Sequence, residues 1–314
     1  MTRVCVVGAG VIGSLYAGHL ASVANVSALT RRPEHARQLE RQGLTISGKS
    51  ERDARVAASS DPAELDDFEL GILATKATDL EDAAARLAGR SPQATLMTIQ
   101  NGLGAEEVVG RHGDWKLISA VTFMSGVRHS DTHVEYELDT ETWLGPYAET
   151  QTPFDTVAQV ETLLQRSGLK ARAFRDLRPA QWSKLIFNAT VNTVAALTDL
   201  PHVSQFAARD ADTDLGHLVH DLMDEGKRVA AAAGVELHED PWEMNVLAVQ
   251  KGETEAAAGK YAHVPSMLDD VRSRRRTEVD FITGALVREA QRLGVPVPLH
   301  ETMYRLVRAR EVSW

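Results

Sequence analysis

Val4-Cys5-Val6-Val7-Gly8-Ala9-Gly10-Val11-Ile12-Gly13 is the stretch whose reading decides the fold. Four apolar residues make a short buried strand, a glycine turn follows, and a helical pattern begins at Val11 and runs over 11–24. The glycines fall at the spacing G-x-G-x-x-G, and each is needed for a different reason. Gly8 permits the tight turn, Gly10 lets a pyrophosphate approach the backbone, and Gly13 lets helix and strand pack closely. The start of the helix presents unpaired N–H groups and a partial positive charge to a diphosphate. An ordinary glycine turn is the alternative; the strand before it and the helix after it weigh against that.

Outward from this turn, residues 26–30 form a second apolar run, Pro33–Gln42 a second helical pattern, and 70–74 and 95–99 two further buried strands. Residues 117–124 and 133–144 read as later strands. Short apolar runs alternating with helices predict α/β architecture, an N-terminal Rossmann domain with a doubly wound parallel sheet. After Phe174 strand signals nearly vanish, and apolar residues recur at helical spacing over 182–197, 215–233 and 279–293. At 314 residues two domains are expected: 1–174 binding the dinucleotide, and an all-helical 175–314 carrying substrate and catalysis.

Composition narrows the function. Apolar residues make up 43% and charged ones 25%, ordinary for a folded globular chain. The net charge of −10 comes without a polybasic tract, which argues against a nucleic-acid partner. The one basic cluster, Arg272, Arg274, Arg275 and Arg276, is followed by Glu278 and Asp280 and reads as a solvated helix face. Cys5 is the sole cysteine, so no intrachain disulfide forms, which suits a reducing compartment. Neither a signal-peptide pattern nor an apolar run of about 20 residues is present, so a cytoplasmic protein without a membrane partner is expected. A homodimer is left open.

The second strand ends Leu29-Thr30-Arg31-Arg32, where NAD sites usually carry an acid that accepts from the ribose 2′-hydroxyl. A carboxylate repels a 2′-phosphate, whereas a guanidinium pairs with it, so Arg31 and Arg32 point to NADPH/NADP+. Two arginines on a solvated loop are the plainer alternative. In the helical half, Lys184, Asn188 and Asn192 recur at i, i+4 and i+8 and line one helix face over roughly 12 Å. That polar stripe on an otherwise apolar helix suits a site that reduces a carbonyl, where a developing alkoxide needs a proton donor. A surface ion pair is the alternative role for Lys184.

Five blocks occur in order: Ala74-Thr75-Lys76-Ala77, Gln100-Asn101-Gly102, Trp182-Ser183-Lys184-Leu185-Ile186-Phe187-Asn188, Ser266-Met267-Leu268-Asp269-Asp270 and Arg276-Thr277-Glu278-Val279-Asp280. With these the chain resembles the ketopantoate reductase (2-dehydropantoate 2-reductase) family. The resemblance implies NADPH-dependent reduction of ketopantoate, a small 2-oxo acid, to pantoate. It makes Lys184 the general acid and Glu278 the group orienting it and the substrate oxygen. Ser266 then donates to the substrate carboxylate, and Asn188 and Asn192 meet its other polar groups. It also sets Asn101 against cofactor and substrate, and Lys76 beside Gly8, Ala9, Gly10, Val11, Ile12, Gly13, Arg31 and Arg32 as a cofactor residue. Plainer roles remain for Glu278 (an exposed helix carboxylate), Ser266 (a helix N-cap) and Lys76 (a loop lysine).

One departure bears on the substrate: Asp131-Thr132-His133-Val134-Glu135-Tyr136-Glu137 lacks the glycine the family commonly carries there. Another 2-oxo acid, ketone or imine, or a non-catalytic NADP(H)-binding sensor, is the alternative function. His217 and His220 lack the further ligands of a metal site, and no G-x-S-x-G elbow occurs.

Overall fold

The computed structural model describes residues 1–208, 214–257 and 264–314. By its contacts the chain divides into two compact units, Met1–Gln100 with Ala105–Leu177, and Asn101–Gly104 with Arg178–Trp314. The division falls three residues beyond Phe174, and it assigns a four-residue loop from the first half of the chain to the helical unit.

The first unit runs β1 (Arg3–Val7), α1 (Val11–Leu20), β2 (Asn25–Leu29), α2 (Pro33–Gln42), β3 (Leu44–Gly48), β4 (Arg52–Ala54), β5 (Ala57–Ser59), β6 (Leu70–Leu73), α3 (Leu80–Leu87), β7 (Thr95–Thr98), α4 (Ala105–Gly110), β8 (Lys116–Thr122), β9 (Ser125–Ser130), β10 (His133–Leu138), β11 (Thr142–Pro146), α5 (Phe154–Arg166) and β12 (Ala171–Ala173). Eight strands form one sheet in the order β12-β11-β8-β7-β6-β1-β2-β5, parallel throughout except where β11 meets β8. From β5 to β8 this is the doubly wound order, with β1 at the reversal and the glycine turn at its carboxyl end.

Strand alternation sorts β1 between the two faces of the sheet. Val4 and Val6 pack with α1, α2 and α5, while Cys5 and Val7 pack with α3 and α4. The small sheet, ordered β4-β3-β10-β9, adds Leu44, Ile46, Val134 and Tyr136 to the same core as α1. That explains why α1 is buried from Gly13 to Leu20 and shows no polar stripe.

Residues 133–144, read from sequence as one strand, are two. β10 pairs with β3 and β9 in the small sheet, and β11 with β8 and β12 in the large one. The break falls at Asp139-Thr140-Glu141, where Asp139 accepts a hydrogen bond from Tyr136 Oη at 3.0 Å instead of extending the ladder.

The second unit contains α6 (Arg178–Thr198), α7 (Asp214–Ala232), α8 (Pro241–Ala257), α9 (Ser266–Arg272), α10 (Thr283–Leu293) and α11 (Pro298–Glu311), and no strand among the described residues. α6 is its axis and touches all five others. Its buried residues include Leu185, Ile186, Ala189, Val191, Val194 and Ala195. The helix expected from 279 starts at Thr283, because residues 279–282 form tight turns in which Val279 O accepts from Gly284 N at 2.8 Å and Phe281 O from Leu103 N at 3.2 Å. A buried carboxylate, Glu225, accepts from the backbone N–H groups of Leu299 and His300 and from His300 Nδ1, and so caps α11. Burial pushes Glu225 up, but these donors outweigh it and hold the carboxyl below its usual range.

Candidate active site

At the carboxyl end of β1, Gly8 takes φ +94° and Gly13 lies against the Gly8 carbonyl, so a methyl group on Gly13 would be driven into that oxygen. Over Gly10 the space is open. Glycine thus allows close contact between turn and helix at Gly13 and leaves the backbone open at Gly10. Ala9 is buried beneath the turn, and Val11 and Ile12 open α1 half-buried.

Beside the turn, Gln100 Nε2 donates to Leu73 O at 2.8 Å and Thr75 O at 2.9 Å, tying the ends of β6 and β7 together. Lys76 is exposed and precedes a single turn, Ala77–Asp79. Just beyond the end of β2, Arg31 pairs with Asp79 at 3.2 Å, and Arg32 with Asp131 at 2.6 Å. Sequence reading missed Asp79 and Asp131 as the partners of these arginines, 48 and 99 positions away. No spacing rule links positions so far apart.

The helical unit gathers the polar stripe. Lys184, Asn188 and Asn192 are all buried on α6, and Glu278 is buried in the segment before α10. Burial lowers the Lys184 ammonium from 10.5 to about 8, and the Glu278 charge opposes part of that fall. Asn188 Nδ2 donates to Asn101 Oδ1 at 3.4 Å, so Asn101 joins this group through the loop 101–104. Gly102 makes the loop feasible: its φ is +98°, and a Cβ there would collide with the Phe281 carbonyl.

Lys184 with Glu278, and Asn188 with Asn101, are therefore brought together. Ser266 differs, being exposed as the first residue of α9. Neither Glu278 nor Lys184 has the surface position that its plainer role requires. His220 lies near Asp224, at 3.5 Å, and packs edge-on against Trp242. Chemically, a buried ammonium lowered to about 8, with a carboxylate charge acting on it, can deliver a proton to a polar oxygen.

The chain also matches known proteins over most of its length. Residues 4–149 match the family model "Ketopantoate reductase PanE/ApbA", and residues 176–311 match "Ketopantoate reductase PanE/ApbA C terminal". The 2-dehydropantoate 2-reductase of Pyrococcus horikoshii is 28% identical over 310 residues, covering 98% of this chain and 97% of that one. Its counterpart in Pyrobaculum aerophilum is 30% identical over 246 residues, 78% of each chain. The ternary structure of D-mandelate dehydrogenase with NADH and anilino(oxo)acetate superposes with a TM-score of 0.86 over 99% of both chains. At 22% identity that likeness is one of fold.

Proposed function

Because this chain is an oxidoreductase that belongs to the ketopantoate reductase family, we propose that it reduces 2-dehydropantoate to pantoate, with hydride from NADPH and a proton from Lys184. The observation that carries this reading is the buried Lys184 with its lowered pKa and the Glu278 charge acting on it. A lysine near 8 is still mostly an ammonium at neutral pH, yet gives up its proton far more readily than one near 10.5.

The open space over Gly10 and the start of α1, which has no side-chain cap, fit a dinucleotide diphosphate, and Arg31 and Arg32 suit a 2′-phosphate. Bound NADPH supplies the hydride that adds to the carbonyl carbon. Lys184 gives its proton to the oxygen, which becomes the hydroxyl, and regains one from water. Glu278 keeps the ammonium charged and aimed. Asn101, Asn188 and Asn192 offer amide groups to the rest of the substrate, and Ser266 a hydroxyl to its carboxylate. Burial pushes the Cys5 thiol up to about 11, so it stays a protonated core residue; such an inert thiol suits a cytoplasmic setting. No described helix is long and apolar enough to cross a membrane.

The missing glycine within 131–137 favours a second reading, the same hydride chemistry on a different 2-oxo acid. One experiment separates the two: loss of reduced-nicotinamide absorbance with a panel of 2-oxo acids and ketones. Turnover of ketopantoate supports the first reading; turnover of another ketone with ketopantoate inert supports the second. In either case Lys184→Ala lowers turnover by about 10²- to 10⁴-fold and leaves NADPH affinity unchanged. A variant with normal turnover would show that the proton comes from elsewhere.

A further inference from the structure

The turn between β9 and β10, remote in sequence from the nucleotide motif, touches α2 at both ends, at His35 in its first turn and at Gln42, its last residue. His35 Nε2 is 2.8 Å from the carbonyl oxygen of Asp131, and Thr132 Oγ1 donates to Gln42 Oε1 at 3.2 Å. The Asp131 side chain is only 16% exposed, and its Oδ1 takes hydrogen bonds from two guanidinium groups: Arg32 Nη2, at 2.6 Å, and Arg128 Nη2. Arg128 is also steadied by donating from Nε to Ser130 O at 3.2 Å. Two cations thus converge on one carboxylate oxygen at the position where the proposed function sets the ribose 2′-phosphate. Counting Arg32, Arg128 and Asp131, the corner carries a net charge of +1.

Resting on that reading of the cofactor, the geometry points to Arg128 as a further ligand for the 2′-phosphate and to Asp131 as the residue that limits how strongly the site prefers NADPH to NADH. A phosphate dianion gains from each guanidinium through charge-assisted hydrogen bonds. It loses from the carboxylate twice, by direct repulsion and because Asp131 occupies donors that the phosphate would use. The side chain of Arg32 is 51% exposed and that of Arg128 35%, so each keeps solvent-facing area for a second acceptor while Asp131 holds it. Asp131 is therefore a positioning residue whose charge opposes the ligand it helps to frame. Replacing it by asparagine keeps its shape and one acceptor oxygen and raises the charge of the corner to +2.

The test is a set of titrations of the full chain with NADPH and with NADH. Asp131→Asn is expected to tighten NADPH by about threefold to tenfold, and Arg128→Ala to weaken it by a similar factor, with NADH unchanged in both. An unchanged or reduced NADPH preference in Asp131→Asn overturns the assignment of Asp131. If that variant does not fold, Arg128→Ala decides, and unchanged NADPH affinity there overturns the proposal. Arg32→Ala keeps the parent reading separate. Selective loss of NADPH in Arg32→Ala, with no effect in the other two variants, sinks this inference alone, whereas equal wild-type affinities and an inert Arg32→Ala sink the cofactor reading itself.

Discussion

Replacing Lys184 by methionine should change how stability depends on pH, by an amount that follows from the site. Burial lowers the ammonium from 10.5 to about 8 in the folded protein, against the pull of Glu278. The unfolded chain titrates near the higher value, so between the two pH values it binds more protons than the folded chain, and stability rises with pH across that window. Below about pH 8 both states are protonated, and the folded state bears the full cost of the buried cation. Above 10.5 neither state is protonated, and that cost is gone. At 1.36 kcal/mol per pH unit the gap corresponds to about 3 kcal/mol. Methionine keeps the unbranched apolar stem and removes the titration. Urea unfolding of both proteins, from about pH 7 to about pH 10, should show wild type gaining about 2–3 kcal/mol relative to Lys184→Met. Turnover should mirror this by falling as pH rises through about 8, since only the ammonium gives a proton. A difference in stability that stays flat to within about 0.5 kcal/mol would show that Lys184 titrates as it does in water, and would remove the physical basis for its assignment.

Gly13→Ala should weaken NADPH binding by more than about tenfold, because the methyl group forces α1 away from the Gly8 carbonyl; unchanged affinity in a fluorescence titration would contradict that close packing. Gly102→Ala combines a left-handed φ with a collision at Phe281 O, and should cost about 2–3 kcal/mol in urea unfolding; a loss below about 0.5 kcal/mol would count against the loop geometry. Glu225→Ala removes the acceptor for three donors at α11 and should cost about 3 kcal/mol by the same assay, and a neutral result would argue against the cap. Arg31→Ala should erode NADPH preference by about 1 kcal/mol or less, since its guanidinium is 74% exposed and already paired with Asp79; loss of NADH binding to the same degree would show that Arg31 does not read the 2′-phosphate.

The Rossmann half is legible in the sequence because it depends on local patterns. The glycine spacing, the apolar run of β1 and the bounds of Pro33–Gln42 are all written within a few residues of where they act. Residues 133–144 mislead because a sequence window cannot show that β10 and β11 belong to different sheets; only the partner strands decide that. The helical spacing of Val279 and Ile282 places the start of α10 four residues too early for a similar reason, since the Phe281 carbonyl is taken by Leu103. Within the candidate site, the i, i+4, i+8 stripe on α6 is visible because helix geometry is local. The carboxylates on Arg31 and Arg32, and the bond from Asn188 to Asn101, depend on tertiary contacts and leave no short-range trace.

The loop 101–104 also imposes an order on synthesis. At about 5–20 residues per second, the 87 positions from Asn101 to Asn188 take roughly 4–17 seconds to translate, and Phe281 emerges later still. By then every strand of the large sheet, through Ala173, has been made. The nascent chain therefore carries Asn101 and Gly102 for seconds without the helix and carbonyl that give them their conformation. A gene split after Leu177 separates that loop from its partners for good: the downstream piece, however well its helices associate, lacks the acceptor for the Asn188 side chain and the donor for the Phe281 carbonyl.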